Sequence, residues 1–235
     1  MPSRTKIQIF ADGADIKSIK KYNVKSKIKG FTTNPSLMRS NNIKNYIIFA
    51  KKILKIVKKK SVSFEIFADD KKTIIEQANQ INSWGSNVYV KVPYYNSRGR
   101  NNLKIIKILS DKGVKLNITA IFQLKQIKNI LKNINKNTRS ILSIFAGRIA
   151  DTGIDPREII YKSVKLTKKN KNIEILWASC RELYSIKEAE KLGCHIITVP
   201  NSILSKMNLF GKDLKKYSIE TSKQFFEDSK GINFD

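Results

Sequence analysis

The sequence predicts an eight-stranded parallel (β/α)8 barrel, because short apolar or alternating segments recur eight times and each is followed by a polar turn. Most of these segments precede a stretch with helical spacing, which is the pattern of parallel strands joined by helices. No change of composition and no linker divides the 235 residues, and this length suits one barrel. We therefore expect a single TIM-barrel domain over 1–235.

The predicted strands share apolar or alternating residues bounded by polar turns. They are 6–12, 28–34, 61–69, 87–94, 115–121, 140–147, 173–180 and 194–200. Between them, 43–58 and 71–84 carry apolar residues at helical spacing with Lys, Gln and Asn on the opposite face. Shorter helices are predicted over 101–112, 123–135, 156–169 and 185–192.

The last predicted element, 213–228, is one helix more than an eightfold repeat requires. It would either cover one end of the barrel or contact a neighbouring subunit, so a homo-oligomer stays open. An open, doubly wound sheet is the alternative architecture. That alternative is less favoured because no glycine-rich phosphate-binding loop follows any of the predicted strands.

The composition excludes several classes of protein. With 41% hydrophobic and 28% charged residues, the chain can form a core and is not disordered. Two cysteines cannot form a disulfide framework, and no Cys/His spacing suggests a zinc site, so we expect reduced thiols and no metal. No apolar run approaches the roughly 20 residues that span a bilayer, and the first residues do not resemble a signal peptide. We expect a soluble, cytoplasmic protein with no membrane partner.

The net charge of +27 raises nucleic acid as a partner. The basic residues, however, are 38 lysines and only 8 arginines, and they are spread along the whole chain. Arginine is the side chain preferred for bidentate recognition of phosphates and bases. We therefore interpret the charge mainly as solvated helix faces and expect no nucleic-acid partner.

Strand alternation predicts that Lys91 points into the barrel. In 87–94 the three valines share one face, whereas Tyr89 and Lys91 share the other. The alternative is a lysine at a sheet edge that extends its amine to water. Burial among aromatic residues disfavours the charged form of a lysine and leaves more free amine at neutral pH. Free amine is what attack on a ketone to form a Schiff base requires.

Polar side chains also enter six other strands, mostly near the carboxyl ends where barrel enzymes have their active sites. They are Asp12, Asn34, Glu65, Asn117, Thr119, Ser143, Ser179 and Arg181. A purely structural core rarely contains so many polar and ionisable groups, because an unpaired buried polar group or charge is costly. Of these groups, the carboxylates Asp12 and Glu65 can move protons while an imine forms and hydrolyses.

Six blocks resemble the transaldolase family of the class I aldolase superfamily, in the family's order. They are GFTTNPSLM (30–38), VSFEIFAD (62–69), VYVKVP (88–93), KLNITAIF (115–122), SIFAGR (143–148) and LWASCRE (176–182). The resemblance implies a barrel that needs no cofactor and acts on sugar phosphates. The implied reaction moves a dihydroxyacetone unit from fructose 6-phosphate or sedoheptulose 7-phosphate to an aldose phosphate such as erythrose 4-phosphate.

The resemblance also implies roles for single residues. Lys91 matches the Schiff-base lysine, and Glu65 matches an acid/base glutamate that acts through a water held by Thr119. Asp12 matches the aspartate that takes the proton of the donor's C4 hydroxyl. Asn34, Asn117 and Ser143 match residues around the dihydroxyacetone unit and the lysine, and the phosphate-binding groups match Arg148, Ser179 and Arg181.

Two positions bear on the type of reaction. The fructose 6-phosphate aldolases of the same superfamily carry glutamine where Glu65 stands and tyrosine where Phe145 stands. The Glu65 and Phe145 pair is the transaldolase pattern. Without a phenol at Phe145 to help protonate the three-carbon enamine, transfer to an aldehyde acceptor is favoured over free cleavage.

The chain departs from the family pattern at several places. Proline is usual where Ile144 stands, and a shorter turn is usual where 94–100 stands. Three segments, 148–156, 193–200 and 217–228, resemble a bacterial subgroup associated with surface-polysaccharide genes, so a different sugar is the alternative substrate. Arg98 and Arg100 either contribute to a phosphate site or are solvated loop charges.

Other candidate residues have simpler explanations. His195 is the sole histidine and is interpreted as structural. Cys180 is expected to be a buried, inert thiol. Trp84 and Trp177 are expected to pack in the core, although Trp177 shares the inward face with Ser179 in this interpretation and could line the pocket. Asp69 and Asp70 (69–70) begin a helix, where acidic residues suit the helix dipole.

Overall fold

The computed structural model describes residues 7–234 and shows a closed barrel whose strand order follows the chain. The strands are β1 Gln8–Asp12, β2 Ile28–Thr32, β3 Ser61–Glu65, β4 Val88–Pro93, β5 Leu116–Ile121, β6 Ser140–Ile144, β7 Ile173–Trp177 and β8 Ile196–Pro200. All neighbouring strands are parallel, and β8 pairs with β1 to close the ring. The (β/α)8 prediction is confirmed, and the open sheet is excluded.

Helices surround this barrel. They are α1 Ile16–Asn23, α2 Pro35–Ser40, α3 Tyr46–Ile56, α4 Lys71–Asn82, α5 Leu103–Asp111, α6 Leu124–Asn133, α7 Ala146–Ala150, α8 Arg157–Thr167, α9 Ser185–Lys191, α10 Asn201–Leu204 and α11 Leu214–Asp228. Each predicted helix is present and slightly shorter than expected. The helices α1, α2, α7 and α10, which have eight, six, five and four residues, were not predicted.

Five predicted strands continue too far at their carboxyl ends. The extra residues, 33–34, 66–69, 94, 145–147 and 178–180, form loops or the start of α7, so Asn34 caps α2 rather than ending β2. They contain buried apolar residues such as Ile66, Ala146 and Ala178, which is why they resembled strand. As a correction, Ser179 and Arg181 therefore lie in the loop after β7 rather than at the end of the strand.

Two apolar layers position the site. Val88, Val90 and Val92 are fully buried in the core between the sheet and the helices. A smaller cluster fills the barrel interior, formed by Phe10, Tyr89, Ile141, Leu176, Ala178 and Ile196 with Phe145 packed against it. Gly30 makes room for this cluster, because a Cβ there would lie 2.6 Å from the Phe10 ring. The predicted inward direction of Tyr89 and Lys91 is confirmed.

Trp177 was expected to pack in the core, which is confirmed, but the inward face assigned to it was wrong. Its neighbours Leu176 and Ala178 belong to the inner cluster, whereas Trp177 is buried in the outer core. Within β7, Glu174 and Leu176 share the inward face, and Ile173, Ile175 and Trp177 share the other. The prediction placed Trp177 with Ser179, which lies in the loop after the strand, where alternation no longer applies. Trp84 does pack in the core, with its ring 5.4 Å from that of Phe64.

The histidine and Cys180 have the environments expected of structural residues. His195 Nδ1 accepts a hydrogen bond from the backbone N–H of Ile175 at 2.9 Å, and burial lowers the pKa of the imidazole. Cys180 is buried, and burial is the main cause that raises the pKa of its thiol to about 11. Such a thiol is rarely ionised at neutral pH.

Helix α11 is the last helix of the chain and follows the short helix α10. Asp213 caps it by accepting a hydrogen bond from the backbone N–H of Lys216 at 2.8 Å. No residue of α11 is buried. Within residues 7–234, no helix combines the length and apolarity needed to cross a membrane.

Candidate active site

A cavity of about 530 Å³ opens at the carboxyl ends of the strands, where barrel enzymes have their active sites. Most of the predicted site residues line it: Asp12, Asn34, Glu65, Lys91, Thr119, Ser143, Phe145, Arg148, Ser179 and Arg181. Asn117 is fully buried and does not line the cavity, although it stands beside Lys91 in the register of β4 and β5. The structure thus brings together residues that lie far apart in the chain.

Lys91 and Glu65 form the centre of this cavity. The Nζ of Lys91 lies 3.0 Å from Oε2 of Glu65 and donates a hydrogen bond to the backbone carbonyl of Thr33 at 3.1 Å. Only 6% of Lys91 is exposed. The contact follows from the register, which places the two residues opposite each other on neighbouring strands. The amine therefore has a carboxylate with which it can exchange a proton.

Asp12 lies at the end of β1 on the same side of the barrel. Its Oδ1 accepts a hydrogen bond from Thr32 Oγ1 at 2.7 Å, and the Thr32 hydroxyl also contacts that of Thr198. Burial raises the pKa of Asp12 above its usual value of 3.8, an effect that Lys91 and Thr32 oppose and Glu65 reinforces. A carboxyl group with a raised pKa is suited to proton transfer nearer neutral pH.

Thr119 has a hydroxyl without a partner. Its Oγ1 is buried and makes no hydrogen bond within the described residues. The next residue, Ala120, has a φ of +56°, and the register of β5 against β6 shifts between Ile118 and Ile121. This local bulge sets the direction of the strand end. Because buried hydroxyls generally have a hydrogen-bond partner, the Thr119 hydroxyl is suited to bind an ordered water.

A buried polar network fixes the amide of Asn117. Its Nδ2 donates to Ser63 Oγ at 3.0 Å, and Ser143 Oγ donates to its Oδ1 at 2.6 Å. The sequence prediction missed Ser63, although alternation places it on the same face as Glu65. Asn34 is fixed differently, since its Oδ1 accepts the backbone N–H of Leu37 at 2.9 Å and caps α2.

Two guanidinium groups lie on the β6 and β7 side of the cavity. Arg148 stacks on Phe145, with 5.1 Å from its Cζ to the ring centroid. Arg181 donates from Nε to Asp151 Oδ1 at 3.1 Å, and its Nη2 contacts Oδ2. These hydrogen bonds lower the pKa of Asp151. Asp151 was not predicted, because no motif distinguishes this exposed acidic residue from others.

A glycine brings the Ser179 loop against α7. A Cβ at Gly147 would lie 1.6 Å from the backbone oxygen of Ser179, so no larger residue fits without movement. Ser179 itself has a φ of +61°, which is uncommon for residues other than glycine. The close approach places Arg181 on the same side of the cavity as Arg148. Arg98 and Arg100 are exposed and lie outside the cavity lining.

Comparison with known proteins assigns the family. Residues 9–235 match the family described as Transaldolase/Fructose-6-phosphate aldolase. The chain belongs to this family. A "Probable transaldolase" from Nitrosopumilus maritimus (strain SCM1) is 33% identical, over 97% of this chain and 99% of that relative. A second "Probable transaldolase", from Thermoanaerobacter sp. (strain X514), is 31% identical over 86% of this chain and 89% of the relative.

Solved structures agree on the fold of this transaldolase-family chain. The 3-hexulose-6-phosphate synthase from Salmonella typhimurium superimposes with a TM-score of 0.57 at 13% identity, covering 85% of this chain and 90% of that one. At this identity the similarity shows the fold alone. The family match and the named relatives identify the chain as an enzyme of the aldolase and transferase kind.

Proposed function

We propose that this member of the transaldolase family transfers a dihydroxyacetone unit between sugar phosphates through a Schiff base on Lys91. The observation that carries the proposal is the buried amine of Lys91, 3.0 Å from the Glu65 carboxylate in the cavity. The proposed donors are fructose 6-phosphate and sedoheptulose 7-phosphate. The proposed acceptor is erythrose 4-phosphate or a similar aldose phosphate.

In the first step Glu65 accepts a proton from the Lys91 ammonium, and the free amine attacks the ketone carbon of the donor. The resulting carbinolamine loses its hydroxyl as water and leaves an iminium bond between the substrate carbon and Nζ. Glu65 returns the proton that this loss of water requires. A water beside the unpartnered hydroxyl of Thr119 would carry protons between Glu65 and the substrate.

In the second step Asp12 removes the proton from the C4 hydroxyl of the donor. The C4 oxygen becomes an aldehyde as the bond between C3 and C4 breaks, and the electron pair moves into the iminium group to give an enamine. The aldose leaves, and the enamine stays attached to Lys91. An incoming aldehyde then reacts by the reverse sequence, and hydrolysis of the new iminium group releases the product.

The cavity offers suitable groups for the rest of the substrate. Arg148, Ser179 and Arg181 line the cavity and would bind the phosphate. The polar network of Asn117 and Ser143 would hold the hydroxyls and the lysine stem. Phe145 offers no phenol to protonate the enamine, which favours transfer over release of dihydroxyacetone.

A second candidate keeps the Schiff base and changes the sugar. The loop 94–100, which is longer than usual for the family, is an ordered part of the carboxyl face of the barrel. Segments 148–156, 193–200 and 217–228 resemble a subgroup associated with surface-polysaccharide genes, so a sugar used in that synthesis is the alternative substrate. Rates measured over a panel of phosphorylated and unphosphorylated donors would distinguish the two classes of sugar.

Borohydride trapping tests the mechanism. The enzyme is incubated with fructose 6-phosphate, reduced, digested and analysed by mass spectrometry, and we expect a three-carbon adduct on Lys91. The control is Lys115→Met, which removes a partly buried lysine just before β5 and should leave the adduct intact. If folded protein gives no adduct on Lys91 with any donor, the proposal fails. Rates with and without an aldehyde acceptor then separate transfer from cleavage.

A further inference from the structure

A second cleft, of about 300 Å³, adjoins the candidate active site. Pro35 lines both cavities. The cleft is also lined by Ile66, the residue after Glu65, and by Pro93, two residues after Lys91. The backbone N–H of Ile66 donates to the carbonyl of Lys91 at 3.1 Å. A group bound in this cleft would therefore lie beside the cavity that contains Lys91 and Glu65.

Two aromatic rings line this cleft and remain half exposed. Phe67 is 51% exposed and Tyr95 is 47% exposed. The ring of Phe67 is stacked on Tyr46 with centroids 4.4 Å apart, and the Tyr46 hydroxyl donates to the backbone oxygen of Glu65 at 2.8 Å. Tyr95 packs edge-on against the buried ring of Tyr94 at 4.6 Å. Both rings are thus fixed in place while part of each is available to a ligand.

Hydrogen bonds between two loops hold the wall of the cleft. Asp69 accepts from the backbone N–H of Ser97 through Oδ1 and from its hydroxyl through Oδ2, each at 2.7 Å. Asn96 Nδ2 donates to the backbone oxygen of Asp69 at 3.2 Å, and Tyr95 pairs with Asn101. These polar side chains are occupied in holding the wall, so the rings provide much of the contact surface. A preformed site loses less entropy when a ligand binds.

We propose that this cleft binds a ring substituent of the aldehyde acceptor, packed against Phe67 and Tyr95. Fixed aromatic faces favour a ligand with a flat or apolar face, which an aryl ring and a sugar ring both provide. The inference rests on the proposed function and narrows its substrate class. The transferred unit has only three carbons and is attached to Lys91, so a ring must belong to the aldose that leaves or enters. Such an aldose would extend towards the loops after β3 and β4, whereas a phosphorylated aldose would extend towards Arg148 and Arg181.

The test uses three acceptors with the same reacting end: glycolaldehyde, phenoxyacetaldehyde and glucosyloxyacetaldehyde, with fructose 6-phosphate as donor. We expect the wild-type kcat/KM to be about tenfold higher for a ring-bearing acceptor than for glycolaldehyde, which corresponds to about 1.4 kcal/mol. Preference for the phenoxy acceptor alone would indicate an aryl ligand, and preference for the glucosyl acceptor a saccharide.

Variants then locate the preference. Phe67→Ala and Tyr95→Ala should each reduce, severalfold, the ratio of kcat/KM for the preferred ring-bearing acceptor to kcat/KM for glycolaldehyde. Tyr95→Phe should keep this ratio because the ring remains. Tyr184→Ala is the matched control, since Tyr184 is 52% exposed and lines neither cavity. Both kcat/KM values of a ratio are measured on the same variant, so a general loss of active protein does not change the ratio.

The outcomes separate this inference from the proposed function. An adduct on Lys91 with equal kcat/KM for all three acceptors overturns the inference and leaves the proposed function standing. A wild-type preference that survives in both alanine variants also overturns it. Absence of the adduct and of transfer with every acceptor overturns both.

Discussion

The Nζ of Lys91 lies 3.0 Å from Oε2 of Glu65 because the two residues are opposite each other on β4 and β3. Both side chains are largely buried, so each charge depends on the other for compensation. The same contact that stabilises the ion pair supplies a base for the amine. Stability and the proposed chemistry therefore depend on one interaction, and variants at Glu65 can separate the two.

Glu65→Gln keeps the shape of the side chain and removes its charge. We expect transfer activity to fall by about 10²–10⁴, the range for loss of a general acid or base. Glu65→Ala leaves the Lys91 ammonium buried without its partner and should cost about 3–5 kcal/mol of unfolding free energy. Steady-state kinetics and urea denaturation measure the two effects.

The control for Glu65 is Glu158→Gln, which breaks an exposed ion pair with Lys162 on α8. Such pairs contribute about 0.3–0.5 kcal/mol, and activity should not change. If Glu65→Gln kept full activity, Glu65 would not be the acid/base group.

Much of the site was predictable because alternation along a strand determines which side chains share a face. Lys91 and Glu65 each stand between apolar neighbours, and the structure places both in the cavity. The same rule failed for Trp177, because it was extended to Ser179, which lies beyond the end of β7. Alternation determines the face of a side chain only within the strand itself.

The contacts between loops could not be predicted. Asp151 binds Arg181 across a separation of 30 residues, and Asp69 binds Ser97 across 28. Neither spacing forms a motif, since each contact depends on how two loops lie after the barrel closes. The second cleft was unforeseen for the same reason.

Asp12→Asn should raise stability at neutral pH and abolish transfer. Burial raises the pKa of Asp12 in the folded state above 3.8, so the native state favours the protonated carboxyl. The stability that the protonated Asp12 carboxyl contributes is present below pH 3.8 and is lost as the pH rises through the folded-state pKa. Asparagine resembles the protonated carboxyl and does not ionise, so the variant does not lose this stability as the pH rises.

Urea denaturation of the wild type and Asp12→Asn from pH 7 to pH 3 measures this effect. The variant should be more stable at pH 7, and the difference should shrink as the pH falls towards 3.8. A variant that is less stable at pH 7, or a difference that does not vary with pH, would show that the carboxylate is not destabilised in the folded protein.

Arg181→Ala should raise the KM for fructose 6-phosphate more than that for unphosphorylated fructose, because the guanidinium is proposed to bind the phosphate. We expect about a tenfold increase, since charge-assisted hydrogen bonds contribute about 1.5–3 kcal/mol. Asp151→Asn should raise the same KM by a smaller factor and leave kcat unchanged, because Asp151 orients Arg181 without contacting the substrate. Steady-state kinetics with both donors measures the difference.

Arg157→Ala is the matched control for Arg181, since Arg157 forms an equally exposed pair with Asp155 away from the cavity. Its KM values should match those of the wild type. An equal increase in KM for both donors in Arg181→Ala would exclude a specific role in phosphate binding.

Helix α11 is expected to pack against a second copy of the chain. Its apolar side chains are exposed, with Leu214 80%, Phe225 68% and Phe226 66% accessible. Isolated exposure of single apolar residues is ordinary, but several on one unburied helix indicate a surface that association would cover. A homo-oligomer held through α11 would bury these side chains. Light scattering coupled to size-exclusion chromatography should therefore give a mass that is a multiple of 26.9 kDa.

Phe225→Asp combined with Phe226→Asp should dissociate this oligomer, because association would bury two carboxylates without partners. Val24→Asp is the control, since Val24 is 80% exposed and lies at the end of α1. The barrel itself should unfold at the same urea concentration in the double variant if α11 contributes only to association. A wild-type mass of one chain, or a double variant with the mass of the wild-type oligomer, would show that α11 does not mediate assembly.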